Sequence, residues 1–448
     1  MKADDPNGGA ADTQPDFAIE ARWVVPVEPD GVVLDDHAVL VRAGRIAGLA
    51  PIDAARARHP AAPRVALPHH VLLPGLVNAH THAAMSLMRG LADDKSLMVW
   101  LRDHIWPIES RHTSQDMVYD GTLLAAAEML RGGTTCANDM YFFPEAAGRA
   151  FLAAGMRAAL GLIAVEFPTP YAADPDDYLA KGLALRDALR EEPRLSFCFA
   201  PHAPYTVSDR TFGRIGTMAE ELDLPIHVHL HETDDEIRES IDRHGVRPIE
   251  RLRALGLLSP RLIAVHAVHL TENEIEALGV HGCSVAHCAS SNLKLASGFA
   301  PTPALLGAGV NLALGTDGAA SNNRLDILQE ARTAALLAKA VAGDPQTMPA
   351  HTALRCATLA GARALGLEAV IGSIEPGKWA DLCAISLDAI ETRPCFDPVS
   401  HVVYAAGREH VTHVWVAGEA VLAERALARL DPRDLEKLSL LWQNRFRE

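Results

Sequence analysis

Several things are scarce in this chain. Aromatic residues make up 5% of its 448 residues, and no stretch reaches the about 18 consecutive apolar residues that a membrane-spanning helix requires. The N-terminus, MKADDPNGGAADTQPD, has no apolar core of the kind a secretory signal carries. Cations are outnumbered, 41 Lys and Arg against 57 Asp and Glu, and the formal charge is −16. A nucleic-acid surface needs clustered Lys and Arg, so nucleic-acid and membrane partners are both disfavoured, and small neutral or cationic substrates fit better. The seven cysteines are odd in number and include no CxxC pair. That pattern fits reduced, buried thiols and a cytoplasmic setting rather than a disulfide framework. There is no internal repeat and no low-complexity linker.

What is present is an ordinary globular composition, 49% apolar and 22% charged, in a chain long enough for one large domain with an elaboration. Eight apolar β-type runs follow residue 70, at 71–82, 134–140, 157–165, 195–203, 225–232, 262–270, 282–292 and 310–318. The first reads as a buried strand over Val71–Val77. Helical patterns lie between the runs. The clearest spans 113–133, with Thr113 or Ser114 to cap it and Gly132-Gly133 to end it, and a last long helix is expected over about 350–366.

Eight β-α units in series predict an α/β fold, a (β/α)8 TIM barrel. The competing doubly wound sheet would carry a Gly-rich phosphate loop after its first strand, and none is present. The flanks read as short alternating strands and hairpins, one with Gly418 at its turn. The expected organisation is a disordered tail (1–16), a small β-sandwich built from both chain ends (17–70 and 371–430), a catalytic barrel (71–370) and a C-terminal helix (431–448).

Polar residues gather where such a barrel keeps its active site, at the C-terminal strand ends. The ends present His80 and His82, then His202, then His227, His229, His231 and Glu232, then His266 and His269, His287 and Asp317. One histidine at a strand end is usually a satisfied loop or core residue. Imidazoles on five strands with an Asp on the eighth need something to satisfy them, and a metal does so economically. Strand alternation puts His80 with His82, and His227, His229 and His231 on a common face, without choosing among the three.

The segments PGLVNAHTH, SLMVWLRDHIWPIE, APHAPYTVS, HVHLHETDDEI, AVHAVHL, HCASSNLKL, GTDGAASNN and GSIEPGKWADL together resemble the amidohydrolase superfamily, over about residues 20–430. Within it the chain is most similar to the 5-methylthioadenosine/S-adenosylhomocysteine deaminase branch, related to chlorohydrolases and cytosine and guanine deaminases. The resemblance implies His80, His82, His229 and Asp317 as metal ligands, with His227 in the buried wall and His231 behind the ligands. Three imidazoles and a carboxylate suit a borderline divalent ion, zinc first, with iron or manganese as alternatives. Binuclear relatives bridge two metals with a lysine on the fourth strand; LSFCFAPHA has none, so one ion per chain is expected.

The same resemblance implies catalytic roles for Glu232, His266 and Asp317 in hydrolytic deamination of an adenine nucleoside at C6. Asp317 would take the proton of the attacking water. His266 would hold and polarise it, and Glu232 would protonate the purine ring nitrogen and then the leaving ammonia. It implies substrate contacts for Trp100, Glu109, His202 and Ser321, with the Glu109 carboxylate accepting from the ribose hydroxyls. The loop EFPTPYAADPDDY holds no Arg for a homocysteine carboxylate, so 5′-methylthioadenosine ranks ahead of adenosine and S-adenosylhomocysteine. The alternative is a deaminase of a free heterocycle such as guanine, or an amino- or chloro-triazine hydrolase. Relatives of this kind are often homodimers or larger assemblies.

Overall fold

The computed structural model describes residues 14–447. Most of the expected disordered tail therefore lies outside the described residues, but Asp16 is tied down: its amide donates to Val41 O at 2.8 Å and its carboxylate accepts from Ala43 N at 2.7 Å.

The chain opens with β1 (Phe17–Val24), β2 (Leu34–Arg42), β3 (Arg45–Pro51) and β4 (Arg64–Pro74). Eight strands then alternate with helices: β5 (Leu76–Thr81), β6 (Thr134–Asp139), β7 (Arg157–Ala164), β8 (Leu195–Pro201), β9 (Ile226–Leu230), β10 (Leu262–His266), β11 (Ser284–His287) and β12 (Asn311–Leu314). The chain ends with β13 (Leu382–Ser386), β14 (Val411–Val416), β15 (Glu419–Ala423), β16 (Ala426–Leu427) and a helix over Pro432–Arg445.

Strands β5 to β12 pair in sequence order and in parallel, forming the expected barrel. Closure comes from hydrogen bonds just past β12. Thr316 N and Asp317 N both donate to His80 O at 3.1 Å, and the Asn78 amide grips Thr316 Oγ1 at 2.7 Å. Strand periodicity explains the layering. Small residues such as Ala79, Cys136, Ala159, Ala286 and Ala313 share the interior cluster, while alternating Leu160, Leu262, Val285 and Leu312 belong to the cluster packed under the helices. The helix Gln115–Arg131 starts at Ser114, whose side chain accepts from Met117 N, and ends at Gly132.

The two chain ends meet in one mixed sheet of order β16-β15-β14-β13-β4-β1-β2-β3. Residues from both ends, among them Ile19, Val41, Leu72, Leu382 and Trp415, pack as one apolar cluster. The turn between β14 and β15 has Ala417 and Gly418 both at positive φ, 50° and 76°, the geometry of a tight hairpin.

Two expectations need correction. The strand read over Val71–Val77 is two strands in different sheets, parted at Gly75. A Cβ at Gly75 would lie 2.1 Å from Thr135 Oγ1, so the chain passes between the sheets only where there is no side chain. The helix read over 350–366 is also two, Ala350–Cys356 and Leu359–Ala364, because Thr358 leaves helical geometry at φ −132° and ψ −93°.

The barrel is bolted to the end sheet by a buried ion pair. Arg157 on β7 donates to Asp381 at 2.8 Å and 3.2 Å, their side chains being 4% and 1% exposed. Asp381 also accepts from Ala417 N, and Arg157 donates to Pro193 O, both at 2.7 Å. Removing one partner strands a buried charge. Asp381→Ala is expected to lose about 3–5 kcal/mol of unfolding free energy in urea titration; a loss below about 1 kcal/mol would mean the pair does not join the two sheets.

Candidate active site

The C-terminal barrel rim is built from residues that leave regular strand geometry. A register shift between Asn78 and Thr81 inserts one extra residue into β5 against β6 and re-aims its end. His231, His266 and Asp317 sit at positive φ, 56°, 70° and 60°. Non-glycine residues in that region store strain, and they gather where side chains must point against the strand's own alternation.

Three rings converge there. One nitrogen from each of His80, His82 and His229 lies within 4.8 Å of the other two. Asp317 Oδ1 is 3.4 Å from His80 Nε2 and 3.3 Å from His82 Nε2. The opposite ring nitrogens are engaged elsewhere: His82 Nδ1 with Met140 O at 2.6 Å, His229 Nδ1 with His202 O at 2.7 Å, and His80 Nδ1 with His227 Nε2 at 2.8 Å. Carbonyl oxygens only accept, so Nδ1 of His82 and of His229 carries a proton and Nε2 is the nitrogen that faces inward. His80 Nε2 is fully buried and has no hydrogen-bond partner among the described residues. Three inward ring nitrogens, that of His80 buried without a hydrogen-bond partner, and one carboxylate are the donor set of a divalent ion such as zinc.

Asp317 is positioned tightly. Its Oδ1 accepts from Gly318 N at 2.7 Å, and its Oδ2 accepts from Ser291 and Ser321 hydroxyls, each at 2.6 Å. Burial would raise this carboxyl, but the His80 and His82 rings outweigh it and hold the group well below the usual carboxylate range. Glu232 behaves oppositely. Burial pushes its carboxyl up, toward the protonated form, although His266 opposes the shift from 3.7 Å. The Glu232 backbone N–H is held by the Glu236 carboxylate at 2.8 Å, and its Oε1 lies 3.4 Å from Ser297 Oγ. His266 Nδ1 lies 2.8 Å from Asn292 Oδ1. Two carboxylates of opposed proton affinity around one ion position can divide the work of accepting and delivering protons.

Above this cluster opens a cavity of about 470 Å³. His82, His202, His229, Glu232, His266 and Asp317 form its floor, and Trp100, Glu109 and Tyr141 stand on its wall with the apolar segment Phe167–Pro170. Neither Arg nor Lys is among the described residues that line it. Trp100 and Glu109 share the wall although nine residues span about 2.5 turns of a regular α-helix and would put them on opposite faces. The helix widens to a π turn over Leu101–Ile105, which takes up part of that offset. Tyr141 OH donates to Glu109 Oε1 at 2.7 Å. Burial pushes the Glu109 carboxyl up to about 7 against that hydrogen bond.

Three residues sit otherwise than their expected roles suggest. Ser321 is 1% exposed, does not line the cavity, and donates to Asp317, so it is separated from any occupant. His231 does not share a face with His227 and His229, because β9 ends at Leu230; its ring accepts from Ile249 N and faces His269 O, both at 3.0 Å. His227 is more than wall, since it holds His80. Tyr141, Ser291, Asn292, Ser297 and Glu236 were not foreseen. Only the presence of SSN inside HCASSNLKL, and of a Glu four residues past Glu232, could have drawn attention to them.

Known proteins are similar to this chain over nearly its whole length. The chain is 46% identical to the 5-methylthioadenosine/S-adenosylhomocysteine deaminase of Teredinibacter turnerae, over 96% of this chain and 98% of the relative. It is 45% identical to the protein of the same name from Saccharophagus degradans, over 96% and 97%. The crystal structure of an adenosine deaminase from Xanthomonas campestris with bound zinc superposes with a TM-score of 0.96 and 51% identity, covering 97% of this chain and 99% of that one. The model of the amidohydrolase family matches residues 71–421, a span that holds the whole barrel and every donor named above. The chain belongs to the amidohydrolase family.

Proposed function

We propose that this protein is a zinc-dependent aminohydrolase that converts the C6 amino group of an adenine nucleoside to a carbonyl and releases ammonia. 5′-Methylthioadenosine is the preferred substrate, with adenosine and S-adenosylhomocysteine as further ones. The observation that carries this reading is one cavity that joins the His/Asp cluster, the Glu109 carboxylate and the cation-free apolar segment Phe167–Pro170. The named relatives support the same substrate class. The free cysteines, six of the seven buried, support a cytoplasmic setting, and among the described residues no helix is long and apolar enough to cross a membrane.

In this reading His80, His82, His229 and Asp317 hold the ion. When bound, it supplies a Lewis acid that makes water nucleophilic near neutral pH. Asp317, kept ionised by its neighbours, accepts the proton as water attacks C6. Glu232 delivers its proton to the ring nitrogen beside C6; the ionised carboxylate then takes the proton of the new C6 hydroxyl and passes it to the amine, so that the C–N bond breaks, the C6 carbonyl forms and ammonia leaves. His266 holds the attacking oxygen from the other side. His202, whose Nδ1 meets Thr206 Oγ1 at 2.9 Å, presents Nε2 to the purine. The Trp100 ring bounds the nucleoside, and Glu109 accepts from the ribose hydroxyls while Tyr141 steadies it. Ser321 acts through Asp317 rather than on the substrate.

Zinc added to metal-stripped protein should raise its thermal midpoint as a ligand of the folded state does, and His229→Ala should remove the rise. An undiminished rise would place the ion elsewhere. Glu232→Gln should keep its zinc by elemental analysis yet lose roughly 10²–10⁴-fold in kcat; an active Glu232→Gln enzyme would sink the proton-delivery role.

Glu109→Ala should lower kcat/KM for 5′-methylthioadenosine roughly 10- to 100-fold, the worth of hydrogen bonds to a charged group. Equal activity on adenine or guanine in parent and variant would instead point to a free-base deaminase. Because the ionised form accepts from the diol, the nucleoside KM should climb as pH falls through about 7, where Glu109 gains its proton. That rise should be missing in Glu109→Gln.

A further inference from the structure

The segment HCASSNLKL is part of the sequence signature, yet the reaction as written uses none of its residues. It forms the turn after β11 and the helix Ala289–Lys294. From there the chain reaches all three proton-handling groups: Ser291 donates to Asp317, Asn292 meets His266, and Ser297, just beyond, lies beside Glu232. Asn292 is the informative member. It is 1% exposed, and its Nδ2 has no hydrogen-bond partner among the described residues. A buried amide whose Nδ2 is unpaired is not the side chain that packing alone selects. What it adds is an acceptor aimed at one ring nitrogen.

That acceptor decides where the His266 proton sits. Asn292 Oδ1, 2.8 Å from Nδ1, can only accept, so Nδ1 carries the hydrogen and Nε2 of the neutral ring is a bare lone pair. Nε2 is 3.7 Å from Glu232 Oε2, beyond hydrogen-bond reach, and both residues border the cavity. The opposite tautomer would turn an N–H toward Glu232 and favour its ionised form, which has no proton to deliver.

We propose that Asn292 is a positioning residue that locks His266 in the Nδ1–H tautomer, so that Nε2 accepts a hydrogen bond from the attacking water. The use made of the tautomer rests on the deaminase reading; the tautomer itself does not.

The test is nitrogen NMR on zinc-loaded, histidine-labelled protein, with His266 resonances identified by their loss in His266→Ala. The parent should show a protonated Nδ1 and an unprotonated Nε2. Asn292→Leu keeps the shape without the acceptor. It should populate the other tautomer and lose roughly 10- to 100-fold in kcat, the range for groups that orient metal-site residues, with KM and zinc content close to the parent's. Asn292→Asp restores an oxygen at the same place and should return the Nδ1 proton. A proton on Nε2 in the parent, or an unchanged tautomer in Asn292→Leu, would overturn the proposal. The expected spectra in a parent that deaminates no nucleoside would overturn the functional reading and leave the tautomer standing.

Discussion

A group of imidazoles buried at the mouth of a barrel has to be satisfied, and Asp317 is the charge around which this is done. A lone carboxylate in such a place would be driven to its neutral form, because burial penalises the ion by several kcal/mol. Here two ring nitrogens on one side and two hydroxyls and a backbone N–H on the other keep it ionised. Both hydroxyls bond Oδ2. Oδ1, which also accepts from Gly318 N, faces the His80 and His82 rings, and each of the three rings turns its outer nitrogen to a fixed partner. The ring orientations are therefore fixed by partners outside the cluster, which is what makes a metal site selective and tight.

The barrel supplies the stiffness this demands. Its closing hydrogen bonds fall at His80, Thr316 and Asp317, so the seam of the sheet and the centre of the site are the same few residues. Asn78, two residues before His80, ties its amide to Thr316 through both backbone and hydroxyl. A one-residue slip at the seam would break closure and scatter the donors together. The end sheet acts from below. Arg157 enters β7 at its first residue and is locked there by Asp381, far along the chain but adjacent in space. A chain whose two ends meet in one sheet and grip the barrel bottom leaves the upper loops free to carry chemistry.

The barrel was legible because β-α alternation is a repeated signal, and the ion site because five strand ends carry histidine. Legibility failed where local geometry departs from its period. Parity puts His231 beside His229, but the strand stops at Leu230 and a left-handed residue turns the ring away. Helical spacing puts Trp100 and Glu109 on opposite faces, and the π turn takes up part of that offset. The apolar run at Val71 reads as continuous because Gly75, a missing side chain, is invisible to a hydrophobic pattern. Ser291 and Asn292 behind the site, and the bond by which His227 holds His80, were hidden for another reason. A polar residue that orients another has no spacing rule of its own, and its meaning appears only when its partner's unused atom is seen.

The far end of the cavity raises a solvation question that the metal cluster does not. A methylthio group presents apolar surface, and burying it against Phe167, Pro168 and Pro170 is favourable at roughly 25 cal/mol per Å². A homocysteine tail brings a carboxylate and an ammonium to the same place. Three carboxyls already border this cavity, Glu109, Glu232 and Asp317, and its described lining has no cation to offset a fourth. The ammonium would be tolerated and the carboxylate would not, unless it reached past Phe167, which is 44% exposed, into water. In the proposed reading, the preference between the two nucleosides is thus set by how far their 5′ groups extend: the short one would be buried whole, and the long one would bind to the degree that its charged end stays hydrated.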